Sequence, residues 1–210
     1  TSFLFLGLHG GEGEDGTIQG RLEKAGVRFN GSGSAASKLC MDKAATAKVV
    51  DAIGDEIIKT IPKRAVDLRD YVDADMATFQ ALWDELTDEF GTQTLLIKPQ
   101  SDGCSAGVLK LLSPEDLKTY MTLAATGIER IEQNTFKHEE NIIEMGAGES
   151  TGYLIEAFVE TDRIRIEDNT LNHTPKDGWV EFTIGVLGSS ATAHYALNPS
   201  ITVAKGDVLT

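Results

Sequence analysis

The chain has only two cysteines in 210 residues, Cys40 and Cys104. They form neither a disulfide framework nor a C-x-x-C metal or redox pair, which points to a reducing, cytosol-like setting. Positive charge is also scarce. Against 33 Asp and Glu stand 19 Lys and Arg, a formal net charge of -14, so nucleic acid and anionic membranes are poor partners for the surface as a whole, although local basic sites are allowed. Long apolar runs are missing too. The opening "SFLFLGL" is too short to span a bilayer and lacks the basic flank and small-residue cleavage signal of a leader, so it reads as a strand. There is no internal repeat and no low-complexity tract. The chain starts without Met and stops soon after a strand-like segment, so both ends read as cut.

What is present reads as alternating elements. "FLFLGL" is a continuous apolar run, the pattern of a strand buried on both faces of a parallel sheet. In "TIQGRLEKAG" Ile18, Leu22 and Ala25 share a helical face and Gly26 stands where a C-cap belongs. "VRF" gives a short strand, and "AASKLCMDKAATAKVVDAI" a single helix ending near Gly54. This order predicts a βαβ unit, with a boundary between Asp51 and Pro62. Beyond it, "IPKRAVDL", "TLLIKP" and "VLKLL" are strands, and Phe79, Leu82, Trp83, Leu86 and Phe90 line one helical face. "SPEDL" announces another helix, with Ser113 as cap, Pro114 in the first turn and Asp116 at the acid position of a capping box. "TGYLIEAFVE" and "WVEFTIGVLG" are strands separated by a polar, turn-rich segment. The second part therefore predicts α+β architecture, a mostly antiparallel sheet with helices on one face.

Three stretches could carry chemistry. The first, "LHGGEGEDGTIQG", holds glycines before a helix. Glu12, Glu14 and Asp15 already occupy the anion-favouring helix start, so a bound phosphate would be repelled there. The P-loop, dinucleotide and EF-hand patterns are all absent. A plain Gly-rich turn accounts for most of it, except His9, which stands at the C-terminal end of a predicted parallel strand, where ligand crevices open.

The second is "LLIKPQSDGCSAGV". Lys98 ends an apolar strand, and the loop after it carries Gly103 and Gly107, which let backbone N–H groups approach an anion. That pattern suits nucleotide phosphates under a flap, and a loose hairpin beside an exposed Lys suits it equally. In the third, "YLIEAFVE", Glu156 interrupts an apolar strand. A buried carboxylate needs a donor, which an adenine amino group could supply while the backbone of Ala157 to Val159 meets the base edge. Period-2 alternation, with Glu156 on the wet face, is the simpler account of the residues alone. Lys43 and Glu181, each taken singly, read as a solvated helix Lys and an outward strand residue. "KHEEN", around His138, shows no metal-ligand spacing.

Taken together and in order, these pieces form a pattern. "LHGGEGEDGTIQGRLEKAGVRFNGSGSAASKLCMDK" resembles the H-G-x-x-G-E-D-G-x-[IM]-Q-G…G-S-G-x-x-A-S-x-L-x-M-D-K signature of D-alanine:D-alanine ligases. "IKPQSDGCSAGV" resembles that family's K-P-x-x-x-G-S-S-x-G-[VM] loop, and "LIEAFV" with "EFTIGVLG" its adenine strand and ribose-binding Glu. The resemblance covers most of the chain, apart from insertions at about residues 128–150 and 160–179.

The resemblance implies a fragment with part of an N-terminal parallel βαβ (pre-ATP-grasp) unit over 1–55, then an ATP-grasp central domain over 56–210, its C-terminal portion missing. It implies an ATP-dependent ligase that joins two D-alanines through an acyl phosphate for peptidoglycan. The alternatives are a nucleotide-binding module without turnover of its own, or a ligase using another amino or hydroxy acid. By resemblance, Lys43 and Lys98 reach the phosphates, and Gly103 to Gly107 cover the γ-phosphate. Glu156, Ala157, Val159 and Glu181 hold adenine and ribose. His9 lines the first amino-acid subsite. Cys104 replaces the first Ser of the loop and Ser105 keeps the second; a thiol is the weaker donor, which puts that role in doubt. The implied partners are ATP and D-alanine in the cytoplasm, with a homodimer as in the family. Mg²⁺ would be held by an acidic set that this chain lacks.

Overall fold

The computed structural model describes residues 2–103, 105–146, 151–189, 192–201 and 203. Cys104 lies outside them. The chain divides into two compact units, Thr1–Phe158 and Val159–Thr210. Among the described residues no helix is long and apolar enough to cross a membrane.

The first unit opens with β1 (Phe3–Leu4), α1 (Thr17–Lys24), β2 (Arg28–Phe29), α2 (Ser34–Met41) and α3 (Lys43–Asp51). β1 and β2 pair in parallel, Phe3 with Arg28 and Leu4 with Phe29. Asn30 prolongs the pairing: its side-chain oxygen accepts from Leu6 N at 2.6 Å and its amide donates to Leu6 O at 3.0 Å. α1 ends as its sequence predicts. Gly26 has φ of 66°, its N–H bonds to Glu23 O, and Val27 N–H bonds to Leu22 O, the two reverse bonds of a Schellman motif.

Two expectations fail in this stretch. The run "FLFLGL" is not a buried strand: only Phe3–Leu4 is extended in a ladder, and Phe5 is 77% exposed. A strand buried on both faces needs neighbours and cover, and the sheet here has two strands of two residues each. The predicted single helix is two. Asp42 is extended (φ -83°, ψ 102°) and its carboxylate accepts from Ala44 N and Ala45 N. An Asp that can cap competes with helix continuation, so the apolar period ran through a break that it could not reveal.

The centre of the unit is a four-stranded antiparallel sheet of order β3-β8-β4-β5, with β3 Lys63–Asp67, β4 Leu95–Pro99, β5 Leu109–Leu111 and β8 Gly152–Ala157. Between β5 and β8 run α5 (Pro114–Ala125), β6 (Arg130–Ile131) and β7 (Ile143–Glu144), the last two paired antiparallel. α4 (Met76–Phe90) joins β3 to β4. α4 starts on Asp75, which caps Thr78 N, and stops at Gly91 with φ of 66°. α5 starts on Ser113, whose hydroxyl accepts from Asp116 N. The predicted box closes one residue early, because the Asp116 carboxylate accepts from Leu112 N.

The sheet has two unlike faces. Leu95, Ile97, Tyr153 and Ile155 pack with Phe79, Leu82, Trp83 and Leu86 of α4 and with Leu117, Tyr120 and Met121 of α5. Each such side chain contributes about 1.5–3 kcal/mol by leaving water. Strand alternation puts Lys63, Leu96, Lys98, Leu154 and Glu156 on the other face. Core packing thus fixes the face that carries the charged residues.

The second unit is built of pairs: β9 (Arg163–Glu167) with β10 (Thr170–Thr174), β11 (Phe182–Thr183) with β14 (Ser200–Ile201), and β12 (Val186–Ser189) with β13 (Thr192–Ala196). The segment read as merely turn-rich holds a regular hairpin. Asp168 and Asn169 both have positive φ, 49° and 61°, as a two-residue I′ turn requires. "WVEFTIGVLG" is two short strands, β11 and β12, separated at Ile184 and Gly185.

Candidate functional site

The opening loop turns through Gly11–Gly13 and enters α1 at Gly16, whose φ is 91°. A Cβ at Gly16 would stand 2.4 Å from Ser34 O, so only glycine lets α1 and α2 approach this closely. The acids of the loop have local tasks. Asp15 accepts from Thr17 N at 2.8 Å, and the Thr17 hydrogen bonds hold its carboxyl below the usual range. Glu14 accepts from, or pairs with, His9 Nδ1 at 2.9 Å. The His9 side chain is 78% exposed. Gln19 pins the loop, donating from Nε2 to Gly13 O at 2.7 Å.

Lys43 opens α3. Its N–H donates to Gln100 O at 3.1 Å, and its ammonium donates to the carbonyls of Pro99, at 3.2 Å, and Asp102. The preceding Asp42 accepts from Gln100 Nε2 at 2.9 Å. Burial, and then the like charge of Lys98, push the Lys43 ammonium below its ordinary value. A helix Lys that reads as solvated is therefore half-buried against the loop after β4.

That loop is held at both ends. Gly103 N–H bonds to Asp102 Oδ1 at 2.8 Å, and Ala106 N–H to Gly103 O at 3.1 Å. Ser105 is exposed with φ of 57°, an uncommon conformation for a residue with a side chain. Gly107 has φ of 63°; its N–H bonds to Glu144 O at 2.7 Å and its carbonyl accepts from the Tyr120 hydroxyl at 2.5 Å. A Cβ there would lie 2.9 Å from Pro99 Cδ and 3.0 Å from Tyr120 Oη.

Glu156 is not on a wet face. It is 4% exposed, with Lys98 Nζ 2.5 Å from Oε1 and Lys63 Nζ 3.4 Å from Oε2. Oε2 is an ion-pair neighbour of Lys63 without a hydrogen bond. The donors that the sequence left open are lysines. The Ala157 N–H bonds to Pro62 O at 3.0 Å and is not available to a base edge. Val159 and Glu181 belong to the second unit, Val159 half-buried and Glu181 exposed just before β11.

A cavity of about 410 Å³ is lined by Gly13, Glu14, Gln19, Cys40, Lys43 and Gly103, among others. It joins the opening loop, the α2–α3 junction and the loop after β4, three segments far apart in sequence. His9 is not among its lining residues. A larger cavity, about 700 Å³ between Leu68, Ala124, Met145 and Tyr153, contains none of the sequence-identified residues. Among the described residues no three His, Cys, Asp or Glu side chains gather into a metal-binding group.

No family model matches the chain. Over 130 residues it is 39% identical to D-alanine-D-alanine ligase of Bifidobacterium longum, a match covering 62% of this chain and 31% of that protein. It is 32% identical over 162 residues to the ligase of the same name from Geobacter sulfurreducens, covering 77% of this chain and 40% of the relative. The chain matches part of a D-alanine-D-alanine ligase. It spans about a third of the length of the first of these curated relatives. The fold agrees. The D-alanine-D-alanine ligase of Coxiella burnetii superposes with a TM-score of 0.61 at 20% identity, over 94% of this chain and 43% of that one. The ligase of Helicobacter pylori gives 0.59 at 17%, over 99% and 49%. These likenesses support the mixed α/β architecture with antiparallel sheets.

Sequence reasoning missed three participants in this ligase-like region. Glu14 was counted only as an acid that repels phosphate. Gln19 stood in the quoted signature without a role, and it bonds to Gly13 O six residues away; Lys63 carried no signal, since its partner Glu156 is set by strand register.

Proposed function

We propose that the chain supplies the amino-acid loop and the nucleotide-phosphate loop of an ATP-dependent D-alanine-D-alanine ligase of peptidoglycan synthesis. The observation that supports it best is the Lys98–Glu156 pair beside a second lysine, Lys43, that is bonded to the loop carrying Gly103. Ammonium donors beside a glycine-rich turn are the groups that a polyphosphate binds.

The residues present fit ATP. The orphaned Oε2 of Glu156 is a buried acceptor of the kind an adenine amino group requires. Bound ATP would supply the phosphoryl group that activates the carboxylate of the first D-alanine. On this reading Lys98 and Lys43 bind and orient the phosphates, and the N–H groups of the loop around Gly103 and Ser105 cover them and exclude water. Glu156 fixes the base; the Ala157 N–H, bonded to Pro62 O, does not reach it, and Val159 and Glu181 keep a nucleotide role only as the family resemblance implies it. His9, paired with Glu14, keeps the place in the first amino-acid subsite that the family resemblance implies. Mg²⁺ belongs to the reading through acidic residues of the parent ligase outside this chain; among the described residues no acidic cluster forms. Cys104 and Ser105 keep the loop roles that the family resemblance implies.

The same reading gives ATP and D-alanine as partners, a cytoplasmic setting and a homodimer, with 1–55 and 56–210 as domains. The names of the curated relatives do not favour another second substrate. The test is to supply the ligase containing this chain with ATP, Mg²⁺ and D-alanine. Equal amounts of phosphate and D-alanyl-D-alanine are expected; no phosphate release with any amino or hydroxy acid would refute the reading. The 210 residues alone are expected to bind nucleotide without turnover.

A further inference from the structure

A phosphate competes with Glu156 for the Lys98 ammonium. Its ammonium donates to Oε1 of a carboxylate that is 4% exposed. Drawing Lys98 away would strand a buried negative charge, a strongly unfavourable change. A second cation already stands in place. β3 pairs with β8 so that Lys63 is the direct partner of Glu156, and direct partners in an antiparallel pair project from the same face. Lys63 Nζ lies 3.4 Å from Oε2, with its side chain 19% exposed.

We propose that Lys63 is a positioning residue of the nucleotide site, which takes up the charge of Glu156 when Lys98 turns to the phosphates and so frees Lys98 to bind them. The inference rests on the nucleotide reading above. Lys63 acts through Glu156 and does not itself reach the nucleotide. Two features support the division of labour. The two lysines address different oxygens of one carboxylate, so one can leave without the other moving. Oε2 has an ion pair but no hydrogen bond, so a neutral N–H donor can bind it while Lys63 stays close. Polyphosphates are the ligand class whose binding depends on Lys63, because they are what draws Lys98 away.

The test is calorimetric titration of the 210-residue chain with ATP, comparing wild type, Lys63→Met, Lys63→Arg, Glu156→Gln and the Lys63→Met/Glu156→Gln double variant. Lys63→Met should weaken ATP binding by about tenfold or more, because Glu156 left without a second cation holds Lys98 back from the phosphates. Lys63→Arg, which keeps the charge, should stay within about threefold of wild type. In the Glu156→Gln background, where no charge needs neutralising, the Lys63→Met loss should shrink to less than about threefold. ATP affinity unchanged in Lys63→Met, equal losses with Met and Arg, or an undiminished loss in the Gln background would each overturn the proposal. A wild-type chain that does not bind ATP would instead remove the nucleotide reading, and this inference with it.

Discussion

Lys43 at the start of α3 donates its ammonium to Pro99 O, 3.2 Å away across 56 residues of chain, and also to Asp102 O. The helix start and the loop after β4 are therefore one structural piece. Lys43→Ala should loosen residues 100–103 as well as remove a charge. Amide exchange at Gly103 is expected to accelerate and ATP affinity to fall by about tenfold or more; unchanged exchange would show that the loop holds its shape without the lysine.

Lys98→Ala is expected to lose nucleotide binding, and it should also lower stability. A lysine at a strand end reads as free of folding duties; the bond from Lys98 to buried Glu156 gives it one. Retention of Lys63 limits the cost to about 1–3 kcal/mol, which the urea midpoint would report. Replacing Lys63 and Lys98 by Met and Glu156 by Leu together should recover most of that stability without recovering ATP binding.

Asp42 carries the α3 cap and the bond from Gln100, and its hydrogen bonds, first that from Ala45 N–H, hold its carboxyl below the ordinary 3.8. A folded-state pKa that is depressed contributes stability above the unfolded pKa, and that contribution is lost as pH falls through the lower, folded value. The stability gap between wild type and Asp42→Asn should accordingly be widest near neutrality and close below pH 3.8. A gap that is constant from neutrality into acid would contradict this.

Gly107→Ala places a Cβ at φ of 63°, 2.9 Å from Pro99. Left-handed strain of about 1–2 kcal/mol adds to that clash, so a thermal midpoint lowered by several degrees is expected, together with weaker protection of the Gly107 N–H. Gly103→Ala makes the contrast: among the described residues its Cβ would meet only Glu14 Oε2, at 3.7 Å, and folding should be little changed.

How much of this was legible in the sequence depended on how local the signal was. The helix cap at Ser113, the buried face of α4 and the stop at Gly26 follow from residue order, and the structure has them. The break at Asp42 did not show, because alanine and valine on either side continue a helical period. Nor did the exposure of "FLFLGL", since burial needs layers that one segment cannot announce. At the site, Lys98 and Gly107 stood out through strand and glycine patterns. The meaning of Glu156 changed once register put Lys63 opposite it, since pairing between strands 89 residues apart in their first positions (Lys63, Gly152) leaves no trace in either segment.

Calorimetric titration of the 210-residue chain with ATP, beside adenosine and the Lys98→Ala variant, tests the central claim most directly. The account predicts one saturable ATP site, tighter than that for adenosine because the lysines read the phosphates, with most of that difference lost in Lys98→Ala. No saturable binding, or the same ATP affinity in wild type and Lys98→Ala, would contradict it.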